Sequence, residues 1–575
     1  MPPIFARFVL GLGALCLGFS PEALADDLDT RPNCGGERDF CAEVARYAKL
    51  LRLPGYALAV ARNGRIVHVE TQGYADLERR LPIRADSIFP VASITKTFTA
   101  ALMMQYAEEG RIRLDDYLAD YPQVDDATRW LYSSADIRIR HVLSQTSEGA
   151  KPGDVFSYNG NRFNSVYGVF LKITGEKDYA RAFAGEVKER ILDRVGLKDT
   201  LTGFPDAAEQ AHIARIVTPY RFDSKRGAFV ADDDLQGGHK HAYPNSGMLS
   251  TLADLAHYVD AIDQGRLIGK TGATEMTRPF KLNDGTDSPY GLGWFSEEWN
   301  GTKLNWVYGL GPSYSSFLLH VPSEHLSLIF LANNDAPTAA LRLNYGNALQ
   351  FPLATPFLRR FAANVKAIPD IQLDADVSTL EKRIARLPAA SRAAALAQAI
   401  GIAQTSRYVE KTYGGVSGKA LALVSMLYRI DPAYFRAPHP DLIGLIADIA
   451  DRTRTLIAPM NDLAAAYDAN GYIDPRVSQD LGTFYDHVGV SDASIRHRLA
   501  LVTAPGYETN DATIFSAFDL GDLYFRNGDV ASGRKCYWIG IRDAVAAGWG
   551  SGFADKKRQQ MNALTAGSAA ATPTH

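Results

Sequence analysis

The chain has 575 residues, of which 46% are apolar and 22% charged, and its formal net charge is -4. This composition is typical of a folded globular protein and excludes a disordered or strongly polyionic chain. The length exceeds what one hydrophobic core usually organises, so we expect two or more folded units. Because no basic cluster with interleaved aromatic residues occurs, the sequence argues against a nucleic-acid partner.

The first 25 residues have the pattern of a secretory signal peptide. Arg7 supplies the positive charge, residues 8–19 are largely apolar, and Ala23-Leu24-Ala25 forms a small-residue cleavage site. The apolar segment is shorter than the ~20 residues that a membrane-spanning helix needs. The sequence therefore predicts a periplasmic or secreted protein.

Three of the four cysteines lie beyond this segment. Cys34 and Cys41 are close in sequence, and we expect them to form a disulfide in an oxidising compartment. Cys536 lies in a helical pattern beside two aromatic residues, which favours a buried, unreactive thiol.

Two hairpins are predicted at opposite ends of the first folded unit. Residues 56–70 alternate apolar and polar side chains around Asn63-Gly64, which is a strong hairpin signal. Residues 315–320 and 326–332 are two apolar runs separated by Pro322-Ser323-Glu324. Since mostly helix and loop sequence lies between the hairpins, the fold class predicted is α+β, with strands from both ends in one sheet.

The character of the sequence changes after Phe361. Residues 366–378 are predicted to be a linker, and residues 379–562 show helical spacing with almost no strand pattern. Residues 517–541 look like a helical hairpin of the tetratricopeptide type, although no clean period runs through the whole region. The predicted units are a signal peptide (1–25), a first domain (26–365), the linker, an all-α domain (379–562) and a disordered tail (563–575).

The tetrad Ser93-Ile94-Thr95-Lys96 stands at the start of a helix predicted over residues 97–109. A lysine three residues after a serine lies one helical turn away on the same face, where a neutral amine can take the hydroxyl proton. Burial would lower the pKa of Lys96 in the required direction. The same spacing recurs at Ser532 and Lys535, where we expect no function, so the spacing alone is weak evidence.

Further motifs follow the tetrad in the order known from one superfamily. They are Glu109–Asp116, Ile137–Ser147, Pro152-Gly153 leading to Tyr158, Ser246–Thr251 with Asp254-Leu255, and Tyr290–Trp294. Over about residues 53–333 the chain resembles the serine β-lactamase and penicillin-binding-protein superfamily, particularly class C β-lactamase-like esterases and peptidases. The resemblance implies a β-lactamase-like antiparallel sheet flanked by helices, with a helical subdomain, followed here by the all-α domain.

The resemblance also implies that Tyr158, on a loop, completes the catalytic site with Ser93 and Lys96 by sharing their protons. It implies no cofactor and no metal. The acidic and histidine cluster at residues 232–234, His239 and His241 could be interpreted as a metal site, but a solvated loop is the favoured interpretation.

Two positions depart from the superfamily pattern. Gly160 occupies the place of an asparagine two residues after the tyrosine, which puts binding of a substrate amide in doubt. No lysine or histidine occurs between Tyr308 and Ser316, where the superfamily has a cation that meets a substrate carboxylate. The absence argues against β-lactam hydrolysis and D-alanyl peptide processing. The triplet Lys270-Thr271-Gly272 precedes the Tyr290 motif and therefore does not replace the missing cation.

The sequence thus predicts an exported serine hydrolase that cleaves a small ester or amide, or a peptide, through an acyl-enzyme on Ser93. The oxyanion would be held by the Ser93 N–H and a strand amide near residues 313–315. The alternative is a hydrolase-fold scaffold that has lost its substrate clamp and uses the all-α domain to dock a protein or cell-wall partner. Retention of Ser93, Lys96 and Tyr158 together favours catalysis.

Overall fold

The computed structural model describes residues 33–34, 37–122, 136–149, 151–205, 209–232, 241–365, 368–369, 371, 375–414, 418–449, 454–469, 474–504 and 511–570. The predicted signal peptide, part of the predicted linker and most of the cluster at residues 232–241 lie outside these ranges. Among the described residues, no helix combines the length and hydropathy required to traverse a lipid bilayer.

Twelve β-strands are described, and most belong to the first domain's main sheet. They are β1 Asn33–Cys34, β2 Gly55–Arg62, β3 Arg65–Asp76, β4 Leu81–Pro82, β5 Phe89–Pro90, β6 Tyr220–Asp223, β7 Ala228–Ala231, β8 Leu249–Ser250, β9 Phe295–Trp299, β10 Thr302–Leu310, β11 Ser315–Val321 and β12 Leu326–Ala332. The main sheet has the antiparallel order β1-β3-β2-β12-β11-β10-β9, with β4 beside β3.

The two predicted hairpins form the centre of this sheet. β2 and β3 are joined at Asn63 and Gly64, whose φ values of 50° and 71° fit the tight turn that matches strand twist. β11 and β12 are joined through Pro322–Glu324, and β12 pairs with β2, so strands from both ends of the domain meet. The α+β prediction is confirmed.

The sheet is buried on both faces because its central strands carry apolar side chains on both sides. In β12, Ile329 and Leu331 join one apolar cluster, whereas Leu328 and Phe330 join the other. Successive side chains of a strand point to opposite faces, so this alternation is the expected one. The first cluster packs against the helix that follows Ser93.

The helices fall into two sets, of which the first surrounds the sheet and the second forms the all-α region. Those up to residue 361 are α1 Arg38–Leu50, α2 Thr95–Glu108, α3 Ile139–Leu143, α4 Tyr167–Thr174, α5 Tyr179–Val187, α6 Asp193–Val195, α7 Gln210–Ile213, α8 Leu252–Asp263, α9 Lys270–Met276, α10 Ala336–Ala339 and α11 Ala354–Phe361. Those beyond are α12 Val377–Ala385, α13 Ala389–Tyr413, α14 Lys419–Ile430, α15 Pro440–Ile449, α16 Ile457–Ala469, α17 Pro475–His487, α18 Ser491–Val502, α19 Asp511–Arg526, α20 Val530–Ala546 and α21 Ser551–Ala570.

The all-α region has its own apolar clusters. α19 and α20 form the predicted helical hairpin, and Cys536 on α20 is a free, buried thiol, as expected. α21 continues to Ala570, into the segment predicted as a disordered tail. Residues 563–570 include several alanines, which have the highest helix propensity.

The helical region packs closely against the first domain. Arg342, which precedes a 3₁₀ turn at Leu343–Tyr345, donates to Asp480 of α17 at 3.0 Å and to the carbonyl of Gly444 on α15 at 2.9 Å. Tyr413 of α13 donates to the carbonyl of Leu51 at 2.7 Å. These contacts hold α13, α15 and α17 against the first domain.

Candidate active site

The candidate nucleophile lies at a tight junction between strand and helix. Ser93 is the middle residue of a 3₁₀ turn, Ala92–Ile94, that leads directly into α2, so the helical segment begins earlier than predicted. Ala92 has a φ of 45°, a left-handed conformation that costs a non-glycine residue about 1 kcal/mol. This strained junction turns the chain sharply just before Ser93.

β10 packs its backbone directly against this junction. A Cβ atom at Gly309 would lie 2.4 Å from the Val91 carbonyl oxygen and 3.0 Å from the Ala92 Cβ. Ser316 of β11 donates to the same Val91 carbonyl at 2.8 Å. The close approach is possible only because residue 309 is glycine, and it holds the Ser93 turn against the sheet.

Lys96 contacts Ser93 directly. Its Nζ lies 2.8 Å from Ser93 Oγ and 3.0 Å from the Asn245 carbonyl oxygen. Ser93 is partly accessible to solvent, whereas Lys96 is completely buried. The predicted contact between amine and hydroxyl is therefore present, with the hydroxyl on the accessible side.

Burial lowers the pKa of Lys96 to about 7. Among the described residues, no carboxylate lies within 4.0 Å of Nζ to stabilise the ammonium form. The Nζ atom instead lies over the rings of Tyr158 and Phe163, at 5.5 and 5.8 Å from their centroids. A substantial neutral fraction of Lys96 at physiological pH is the physical consequence.

Tyr158 lies on a loop next to this pair, with its ring centroid 5.5 Å from Lys96 Nζ. Burial raises its pKa to about 12, while the nearby Ser93 hydroxyl and the Arg476 guanidinium act in the opposite direction. Its buried Oη makes no hydrogen bond of full geometry within the described part of the chain. The phenol is close enough to Ser93 to influence its proton, yet retains hydrogen-bonding capacity for a substrate.

Asn245 was missed by the sequence analysis. Its carbonyl accepts from Lys96, and its side chain donates to Asn161 Oδ1 at 3.1 Å. A Cβ atom at Gly160 would meet nothing within 4 Å. Asn161 is therefore hydrogen-bonded to Asn245, the residue whose carbonyl binds Lys96. At Gly160, where the superfamily has an asparagine, the space that a side chain would occupy is empty of described atoms.

The other candidates from the sequence are not part of this group. Lys270 begins α9 rather than a sheet strand, so its rejection is confirmed. His141 accepts a hydrogen bond from the Arg138 backbone N–H at 3.1 Å and has a structural position. Cys41 is disulfide-bonded, but the side chain of Cys34 lies outside the described residues and the pairing stays a prediction.

The comparison with protein families decides the classification. A family model described as Beta-lactamase matches residues 42–351, more than half of the chain. The chain belongs to the beta-lactamase family. The matched region contains Ser93, Lys96 and Tyr158 and ends before the predicted linker.

Two relatives of this beta-lactamase-family chain are D-aminopeptidases. The protein from Brucella canis is 27% identical over 332 residues, covering 53% of the chain and 61% of that protein. The protein from Gluconobacter oxydans is 24% identical over 313 residues, covering 49% and 56%. The chain thus spans about three-fifths of the length of these relatives.

Two solved structures are similar to this beta-lactamase-family chain. A penicillin-binding protein homologue from Pyrococcus abyssi has a TM-score of 0.46 and 19% identity, covering 56% of this chain and 77% of that one. A class C beta lactamase from Rhodobacter sphaeroides has a TM-score of 0.41 and 18% identity, covering 52% and 95%.

Proposed function

We propose that the protein hydrolyses carboxylic esters or amides through an acyl-enzyme on Ser93. The observation that carries this proposal is the 2.8 Å contact between Ser93 Oγ and the Nζ of a buried Lys96. A lysine acts as a base only when it is neutral, and burial brings its pKa to about 7. The family assignment agrees with this chemistry.

In the first step, Ser93 Oγ attacks the carbonyl carbon while Lys96 takes the hydroxyl proton. The tetrahedral oxyanion is stabilised by the Ser93 N–H and by a second amide from the β10–β11 hairpin. Tyr158 gives a proton to the leaving alkoxide or amine as the acyl–heteroatom bond breaks, and Lys96 returns its proton to Tyr158. These transfers leave an acylated Ser93 and a neutral leaving group.

In the second step, a water molecule attacks the acyl carbon. Lys96 takes the proton of the water and passes it to Ser93 Oγ as the ester bond breaks, so Ser93 leaves as the hydroxyl and the carboxylic acid is released. The raised pKa of Tyr158, about 12, keeps the phenol protonated. The phenol is therefore suited to donate, and the lysine to accept, at neutral pH.

The proposal predicts that a fluorophosphonate probe labels Ser93. The probe forms a covalent bond only with an activated hydroxyl, so wild-type protein is expected to be labelled and Ser93→Ala is not. Ser532→Ala, which removes the serine of the second S-x-x-K sequence on α20, is the matched control and should label fully. Peptide mass spectrometry locates the adduct. Absence of label on folded wild-type protein would instead favour the binding-protein alternative.

We also propose that the protein is exported. The pattern of residues 1–25 and the disulfide at Cys41 support this location. When the full chain is expressed in a Gram-negative host, the mature protein is expected in the periplasmic fraction with Asp26 as its first residue. N-terminal sequencing and intact mass measure this directly. A cytoplasmic product that retains residues 1–25 would contradict the proposal.

A further inference from the structure

The start of α17 is held firmly in place. Asp474 is buried, and its Oδ1 accepts from the backbone N–H groups of Arg476 and Val477 at 2.8 and 3.1 Å. Such a cap stabilises the first helical turn. Tyr467 of α16 donates to the Asp474 carbonyl at 3.1 Å. The backbone from which Arg476 projects is therefore rigid.

Arg476 lies on the face of α17 that is turned toward the first domain. Asp480 follows it by one helical turn, so the two side chains share a face. Asp480 accepts from Arg342 of the first domain at 3.0 Å. Residues four apart in a helix are separated by about 6 Å along its axis, which places Arg476 next to this interdomain contact.

The interdomain contact is connected to the candidate active site through packed residues. A Cβ atom at Gly346, four residues after Arg342, would lie 3.6 Å from the Phe295 ring, and that ring stacks on Tyr158 with centroids 5.6 Å apart. Burial raises the pKa of both Tyr158 and Tyr308, and the Arg476 guanidinium acts in the opposite direction. The rings of these two tyrosines lie 5.6 Å apart, and the Tyr158 ring is also in contact with Lys96. Glu148, beside the Tyr158 loop, and Tyr345 also act on the Arg476 charge.

The Arg476 guanidinium makes no ion pair with a described residue, since no described carboxylate lies within 4.0 Å of it. Asp474 caps its own helix, and Glu148 accepts from Ser157 at 3.3 Å and from the Asn159 side chain. Arg476 is exposed to solvent although groups from both domains surround it. Arg476 is therefore an accessible cation at the boundary between the two domains.

We propose that Arg476 of the all-α domain binds an anionic group of the substrate, and so supplies the cation that is missing between Tyr308 and Ser316. A guanidinium offers paired N–H donors that match a carboxylate. The substrate class is then an ester or amide that carries a carboxylate at some distance from the scissile bond. This inference rests on the proposed hydrolase function.

The test compares two acyl esters of p-nitrophenol on the full-length protein: the hydrogen succinate, which carries a carboxylate, and the neutral butyrate. Arg476→Gln is expected to lower kcat/KM for the succinate on the order of 10- to 100-fold, the usual loss for a hydrogen bond to a charged group. Hydrolysis of the butyrate should fall much less than hydrolysis of the succinate, because Ser93 and Lys96 are untouched and the butyrate has no carboxylate to lose a partner.

Two further variants separate binding from folding. Arg476→Lys keeps the charge but loses the paired donors, so part of the preference for succinate should remain. Arg436→Gln removes an exposed arginine elsewhere in the all-α domain and should behave as wild type. In addition, the wild-type preference for succinate over butyrate should fall as sodium chloride is raised, since salt screens an accessible charge.

Each outcome bears on one of the two proposals. An equal effect of Arg476→Gln on both esters, or no effect on either, would overturn the role of Arg476 while the hydrolase function survives. If the glutamine variant fails to fold, a succinate preference in wild type that is indifferent to salt overturns the role. Wild-type protein that turns over neither ester and takes no label would overturn both.

Discussion

Lys96→Met is expected to lower kcat/KM for p-nitrophenyl acetate by about 10²- to 10⁴-fold, the range supplied by a positioned general base. Methionine fills most of the space of the buried lysine without its amine, so Ser93 loses its hydrogen-bond partner and its proton acceptor. Initial rates measured on protein of verified fold give the ratio. Because no buried amine has to be kept neutral, the variant should be at least as stable as wild type at neutral pH.

The pH profile provides a second readout of the same prediction. A base must be unprotonated to act, and the pKa of Lys96 is about 7. Wild-type kcat/KM should therefore rise as the pH increases through about 7 and level off above it. In Lys96→Met this limb should disappear, whereas a variant that is only misfolded would retain the limb at reduced amplitude.

Lys535→Ala is the matched control for Lys96. Lys535 has the same S-x-x-K spacing from Ser532, but it is exposed on α20. Its removal should leave both the rate and the pH profile unchanged. If Lys96→Met retained activity within tenfold of wild type, the amine would not be the principal base, and the role proposed for the 2.8 Å contact would be wrong.

Local sequence patterns correctly predicted those parts of the fold that are determined by residues adjacent in sequence. Asn63 and Gly64 have positive φ values, which only a few residue types adopt easily. This pair of residues therefore allowed the β2–β3 hairpin to be predicted. The two-residue strands β1, β5 and β8 gave no signal because they are too short to show a period. The 3₁₀ turn at Ser93 depends on the contact with Gly309, which the local sequence does not encode.

In the candidate site, too, only some residues could be predicted from the sequence. The Ser93–Lys96 contact was predicted from helical spacing, and the role of Tyr158 was predicted from the resemblance to a known superfamily. Asn245 contributes a backbone carbonyl, a group that every residue type carries, so no residue pattern could identify it. Arg476 reaches the site only because the all-α domain packs on the first domain. This packing joins residues far apart in sequence, such as Arg342 with Asp480, so no local pattern reveals it.

One of these surfaces allows a test of the interdomain packing itself. Gly401, in the middle of α13, faces the 3₁₀ turn Ala348–Gln350 of the first domain. A Cβ atom at residue 401 would lie 2.0 Å from the Gln350 carbonyl oxygen. Gln350 is itself buried, with its side chain hydrogen-bonded to Asp441 and Gln404, so it cannot move aside cheaply.

Gly401→Val is therefore expected to lower the free energy of unfolding by about 3 kcal/mol, at the upper end of typical overpacking costs. The better helix propensity of valine recovers only a few tenths of a kcal/mol. The midpoint of urea unfolding measures the change.

Gly185→Ala is the control, because Gly185 lies exposed in α5 with open space at its Cβ position. The free energy of unfolding of this variant should rise by about 0.5–1 kcal/mol. Gln350 also donates to Asp441 of α15, and α15 packs against α17, so the valine variant should lose part of its preference for the anionic ester. An unchanged midpoint for Gly401→Val would mean that α13 does not pack on Gln350, and the position of Arg476 would then lose its structural support.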